Sequence, residues 1–155
     1  MFLIKIAFGA LCVYTSIKIA KTKAMAFKEE YYFWESVVLS CDVLISDLSY
    51  KKSEVNASLN VDYPSESYAK IVASFIKGEE MLFPKFISQD DKIKLENFFS
   101  TIGASNSNTQ KTAIISQKTD FLKCREISKN KFDKNYSAII KVGFAVGIML
   151  LILVI

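Results

Sequence analysis

Histidine is absent from the 155 residues, and with it the commonest general base and the commonest metal ligand. Cysteine is scarce and odd in number. Cys12, Cys41 and Cys124 stand far apart with no C-x-x-C spacing, which argues against a zinc ribbon and a disulfide framework. They read as reduced, mostly buried thiols of a reducing compartment. Glycine (5) and proline (2) are also rare, and none occurs from Lys18 to Tyr50 or between Gln110 and Gly143, so two long stretches carry no helix breaker. Adjacent acids do occur, Glu29–Glu30 and Asp90–Asp91 among them. Neighbours on a helix point about 100° apart, so neither makes a facing catalytic dyad, and solvated charge is the simpler reading. No enzyme, cofactor, metal or small-molecule substrate is expected.

What is plentiful is apolar residue, 51% of the chain beside 23% charged, and the excess sits at the two ends. Phe2 to Ala20 is interrupted only by Lys5 and Lys18, each near an end where a lysine can snorkel. As a helix it would span about 28 Å, enough for a hydrocarbon core. A cleaved leader is the alternative, because Ala24-Met-Ala26 has the form of a cleavage site, but Lys18, Lys21 and Lys23 stand where a leader is neutral. The segment is therefore read as an anchor. Ala138 to Ile155 carries no charge after Lys141 and is the stronger candidate for a span. Gly143-Phe-Ala-Val-Gly147 within it is a G-x-x-x-G that would let another helix approach closely.

Lys18, Lys21, Lys23 and Lys28 follow the first segment, and Lys129, Lys131, Lys134 and Lys141 lead into the second. With transmembrane helices expected over 1–20 and 138–155, the positive-inside rule then places the domain over 21–137 in the cytoplasm. Because these lysines abut apolar segments and are interspersed with acids, anionic lipid headgroups suit them better than nucleic acid. The sequons Asn56-Ala-Ser and Asn135-Tyr-Ser carry no information in a cytoplasmic domain.

In the middle, Phe27, Tyr31, Trp34, Val38, Cys41, Ile45 and Leu48 recur at steps of four and three, a narrow apolar seam on one long helix. Such a seam packs lengthwise against another helix, of this chain or of a neighbour. Ser65 can cap a second helix through Ile71, Phe75 and Ile76 that ends at Gly78. Ser88-Gln-Asp-Asp91 opens a third, with Ile93, Leu95, Phe98, Phe99 and Ile102 as its buried side. The uncharged stretch Thr101-Ile-Gly-Ala-Ser-Asn-Ser-Asn-Thr-Gln110 follows. It has one glycine, no preceding strand pattern, and Lys111 only after the serine run, which does not fit a phosphate-cradling loop. It reads as a helix corner, with Gly103 at the left-handed position and Ser107 and Gln110 as a capping box. The chain is thus predicted to be all-α, a helical bundle flanked by two membrane helices.

With that order of elements the chain resembles the stage III sporulation protein AB family of endospore-forming bacteria. Leu44-Ile-Ser-Asp-Leu-Ser-Tyr50 is similar to the family's Leu-x-x-Glu-Ile-x-Tyr. Ile102-Gly-Ala-Ser-Asn-Ser-Asn-Thr-Gln110 is similar to its Leu-Gly-x-Ser-Asp-x-x-x-Gln, with Gly103, Ser105 and Gln110 at matching spacing and Asn106 in place of Asp. A lysine-rich helix around Lys129 to Tyr136 and the pair Gly143 and Gly147 complete the likeness. Asp47 replaces the usual Glu, the Pro near Glu54 is missing and the middle is shorter. The resemblance implies a cytoplasmic domain similar to type II secretion F-type domains, in a multiprotein channel between mother cell and forespore. It would lie on the mother-cell side of the forespore outer membrane. The implied partners are other membrane and cytoplasmic subunits of that channel, a secretion-type ATPase among the candidates.

Overall fold

The computed structural model describes residues 2–50, 58–103 and 107–154, with the side chains of 2–8, 50 and 154 left aside. Among the described residues the fold is carried by four helices: α1 (Phe2–Tyr50), α2 (Glu66–Lys77), α3 (Gln89–Thr101) and α4 (Ser107–Val154). No strand occurs among the described residues. Each of the two long helices contains one of the two stretches without breakers. The chain divides into two compact units, Met1–Tyr31 with Ser128–Ile155, and Tyr32–Ile127, so α1 and α4 each contribute to both.

The short helices start and stop where local chemistry directs. Ser65 adopts an extended backbone and its side chain accepts from the Tyr68 N–H, closing the start of α2. At the other end Gly78 takes φ +70°, its N–H bonds the Phe75 carbonyl and the Glu79 N–H bonds that of Ser74, the paired bonds of a Schellman motif. Ser88 opens α3 by accepting from the Asp91 N–H at 3.2 Å while its hydroxyl donates to the Asp91 carboxylate at 2.7 Å. Burial tends to raise the Asp91 pKa, but the Ser88 hydroxyl and the Lys94 ammonium outweigh it and hold the carboxyl below its ordinary value.

The unit Tyr32–Ile127 is a bundle around an aromatic core. α1 supplies Phe33, Trp34, Val37, Val38, Cys41 and Leu44; α2 supplies Tyr68, Ile71 and Val72; α3 supplies Leu95, Phe98 and Phe99; α4 supplies Ile114 and Phe121. Rings lock edge to face, Phe33 on Tyr68 at 5.5 Å and Phe98 on Phe121 at 5.6 Å, while Trp34 stacks on Phe121 at 6.0 Å. Burying each large side chain stabilises the fold by about 1.5–3 kcal/mol.

The buried face of α1 is wider than the expected seam. Trp34, Val38 and Cys41 are buried and Ile45 and Leu48 half-buried, but the adjacent row Phe33, Val37 and Leu44 is buried as deeply. A narrow seam serves one partner helix, whereas α1 packs in a core shared with three, which requires two rows. On α3, Ile93 is exposed rather than buried, because it lies two residues, some 200°, from Leu95. Ile76, in the last turn of α2, is exposed as well.

Polar side chains inside the bundle are organised around α1. The Tyr68 hydroxyl donates to Ser40 Oγ at 2.9 Å, Ser40 donates to the Tyr63 hydroxyl at 3.0 Å, and Tyr63 donates to the Leu59 carbonyl at 2.9 Å. One turn earlier Ser36 accepts from the Ser65 N–H at 3.1 Å and donates to the Tyr32 carbonyl at 2.8 Å. Two serines on one face of α1 thereby fasten the 59–65 connection and the start of α2. Burial pushes the Tyr68 hydroxyl well above its ordinary pKa, raises that of Tyr63, and drives the Cys41 thiol to about 12.

Candidate functional site

In the unit Met1–Tyr31 with Ser128–Ile155, α1 and α4 run antiparallel in contact. A Cβ built on Gly9 would lie 2.5 Å from Leu151 Cδ1, one on Gly147 would lie 3.2 Å from Val13 Cα, and one on Gly143 would collide with Ala20 Cβ. Tyr31 stacks on Phe132 at 6.1 Å, and Glu30 accepts from Lys131 at 3.0 Å. These contacts descend one helix as they ascend the other. Gly143 and Gly147 are therefore occupied by α1 of the same chain, through Val13, Ser16 and Ala20. Small residues at a four-or-three step on both helices are what let two backbones come this close.

The outward faces are the reverse of those of a soluble helix pair. Val142, Phe144, Met149, Ile152 and Leu153 on α4, and Leu11, Tyr14 and Ile19 on α1, are exposed. Among the described residues one helix, Ser107–Leu153, is long and apolar enough to cross a membrane; its most apolar 18-residue window has a mean hydropathy of 2.2 and is 11% buried. Many large apolar side chains thus face outward, while Gly9, Gly143, Gly147, Ser16 and Ala20, with Val13 and Leu151, make the contact.

The antiparallel register brings the two lysine clusters level. Lys18, Lys21, Lys23 and Lys28 on α1 lie along the same stretch of the pair as Lys129, Lys131, Lys134 and Lys141 on α4, with only Glu29, Glu30 and Asp133 as acids between them. All of these lysines except Lys28 are exposed. They form a cationic belt at one end of the apolar section.

The remaining candidates fall as follows. Phe27 and Tyr31 of the expected seam belong to the same unit as the glycine contact, and the other five to the bundle. Gly103 takes φ +82° just after α3, the left-handed position assigned to it. Ser105 and Asn106 lie outside the described residues, as does Asn56. Ser107 is the first described residue of α4, and the start of that helix adjoins residues outside the described ones. Gln110 is buried, and its Nε2 has no hydrogen-bond partner among the described residues. Glu30 is engaged with Lys131 and Ser128, and Asp91 with Ser88 and Lys94. Among the described residues no group of three histidine, cysteine or acidic side chains is placed to hold a metal ion. Three features escaped the sequence reading: the second buried row of α1, the Ser40–Tyr63–Tyr68 hydroxyls, and α1 as the partner of Gly143 and Gly147. The last was signalled by Gly9, Ser16, Ala20 and Ala24, small residues at nearly the same spacing.

No protein-family model, no curated protein and no solved structure matches the chain.

Proposed function

We propose that the protein is a non-enzymatic, membrane-anchored assembly component. The apolar parts of α1 and α4 cross the bilayer as an antiparallel pair, and the bundle of residues 32–127 serves partner subunits on the cytoplasmic face. The observation that carries this reading is the inside-out helix pair, with Gly9, Gly143, Gly147, Ser16 and Ala20 among the residues at the contact and many large apolar side chains outward. In water that arrangement would expose an apolar patch with nothing to cover it; in lipid it is the ordinary packing of spanning helices. The lysine belt supports the cytoplasmic placement of the bundle through the positive-inside rule. The finer reading rests on the resemblance to the stage III sporulation protein AB family. In it the partners are the subunits of the channel between mother cell and forespore, with a secretion-type ATPase among them.

Two measurements test this. Membranes containing the full chain, washed at alkaline pH, retain a spanning protein and release a peripheral one, so release would sink the anchoring. In intact cells a membrane-impermeant thiol reagent should leave Cys124 unlabelled until the cytoplasmic face is opened. For the finer reading, the protein solubilised from sporulating cells should co-purify with other channel subunits in fixed proportion. A free monomer there, or constitutive synthesis in growing cells, would leave an adaptor unrelated to sporulation.

A further inference from the structure

We infer that the helix pair holds one anionic phospholipid in a defined groove, an inference that rests on the membrane reading above. The groove, about 480 Å³, runs along one side of the pair, with Ser16, Ala20 and Lys23 on α1 and Ile139, Val142 and Gly143 on α4 among its walls. On α1 these residues step by four and three, a single stripe, and on α4 the lining runs from Ala138 to Val146, a little over two turns. The furrow exists because the contact is made by side chains too small to fill it. Gly143 and Ala20 bring the backbones together, and Ile139 and Val142 stand up as the flank.

Its chemistry is that of one acyl chain with a charged end. Among the described residues Lys23 is the one charged side chain lining the groove. It sits at the end of the α1 stripe nearer the bundle, within the belt of eight lysines and three acids. A bilayer places its phosphates at the boundary where the apolar section gives way to that belt, so a headgroup at Lys23 leaves the acyl chain to run along Ala20 and Ser16 toward the bilayer centre. The apolar wall and the cation thus call for the two ends of one molecule. A zwitterionic lipid satisfies only the wall, since its own ammonium opposes the belt.

The full chain, purified in mild non-ionic detergent, is mixed with phosphatidylglycerol or phosphatidylcholine and the retained lipids are counted by native mass spectrometry. One phosphatidylglycerol per chain is expected, with phosphatidylcholine held at least about fivefold more weakly. Lys23→Gln should weaken phosphatidylglycerol roughly fivefold to tenfold, Ile139→Trp should abolish retention by filling the groove, and Lys85→Gln, in the other unit, should change nothing. Circular dichroism checks that each variant stays helical. Equal retention of the two lipids, or undiminished retention by a folded Ile139→Trp, would overturn the inference. So would a dimer that this variant dissociates, because a second copy would then be the occupant. Release of the wild-type chain from membranes at alkaline pH would sink the membrane reading with it, whereas a chain that stays in the membrane and retains no lipid refutes the groove alone.

Discussion

The hydroxyl series through Ser40 makes an unequal demand on its members, and the inequality can be measured. Tyr68 is fully buried and its hydroxyl has Ser40 Oγ as acceptor at 2.9 Å. Ser40→Ala therefore strands a buried donor and should destabilise the bundle by about 1–3 kcal/mol, the cost of desolvating an unsatisfied group. Tyr68→Phe removes the donor instead. Ser40 still donates to Tyr63 and Tyr63 to the Leu59 carbonyl, so nothing polar is stranded and the loss should be nearer 0.5–1.5 kcal/mol. In the double variant the stranded donor is gone, and its cost should fall below the sum of the single costs by about 1 kcal/mol. Trp34 is the chain's sole tryptophan, buried and stacked on Phe121, so its emission reports this unit during urea unfolding of the full chain in detergent. With a slope of about 1–3 kcal/mol per molar urea, a loss of 2 kcal/mol moves the midpoint by about 1 M. Equal single costs that simply add would refute the directional series, because they would mean that each hydroxyl has its own independent partner.

Other outcomes follow from the same geometry. Above pH 9 the unfolded chain gives up the Cys41 proton while the folded chain holds it to about 12. Stability by Trp34 emission should therefore fall with rising pH by about 1.4 kcal/mol per unit, more steeply above pH 10 as the unfolded chain also ionises Tyr68; Cys41→Ala should flatten the first part of that fall. At the helix pair, Gly143→Ala drives a Cβ against Ala20 Cβ and should cost about 1–3 kcal/mol by overpacking, with Ala20→Gly restoring much of it. Gly9→Ala meets only the tip of Leu151 and should be near neutral in thermal unfolding, so equal effects at the two glycines would contradict the packing described. At the corners, no atom of the described residues beyond the chain neighbours lies within 4 Å of a Cβ added to Gly78 or Gly103, so the cost there is expected to be mainly conformational. Gly78→Ala should lose about 1–2 kcal/mol and Gly103→Val more, whereas asparagine at either site should lose less.

How far the fold could be read from the chain depended on the distance between a signal and its cause. Ser65, Ser88, Gly78 and Gly103 act on backbone groups within about five residues, and each was legible because the whole motif fits in that window. The lack of Gly and Pro over Lys18–Tyr50 likewise announced an unbroken helix. The width of the buried α1 face was not legible, because it depends on how many helices converge there, and Val37 and Leu44 look the same facing one partner or three. Ser36 and Ser40 were harder still. Within α1 they are polar interruptions of an apolar face, and only residues 23 to 29 positions away turn them into fastenings. The glycine contact lies between these cases. Its partner is more than a hundred residues distant, yet both helices carry the same anomaly, small residues at a step of four or three in an otherwise bulky apolar run. A G-x-x-x-G by itself says only that some helix comes close. A second run of small residues at matching spacing, Gly9 through Ala24, makes the partner's identity a question the sequence can answer, because neither helix would otherwise forgo the bulk that lipid or a core rewards.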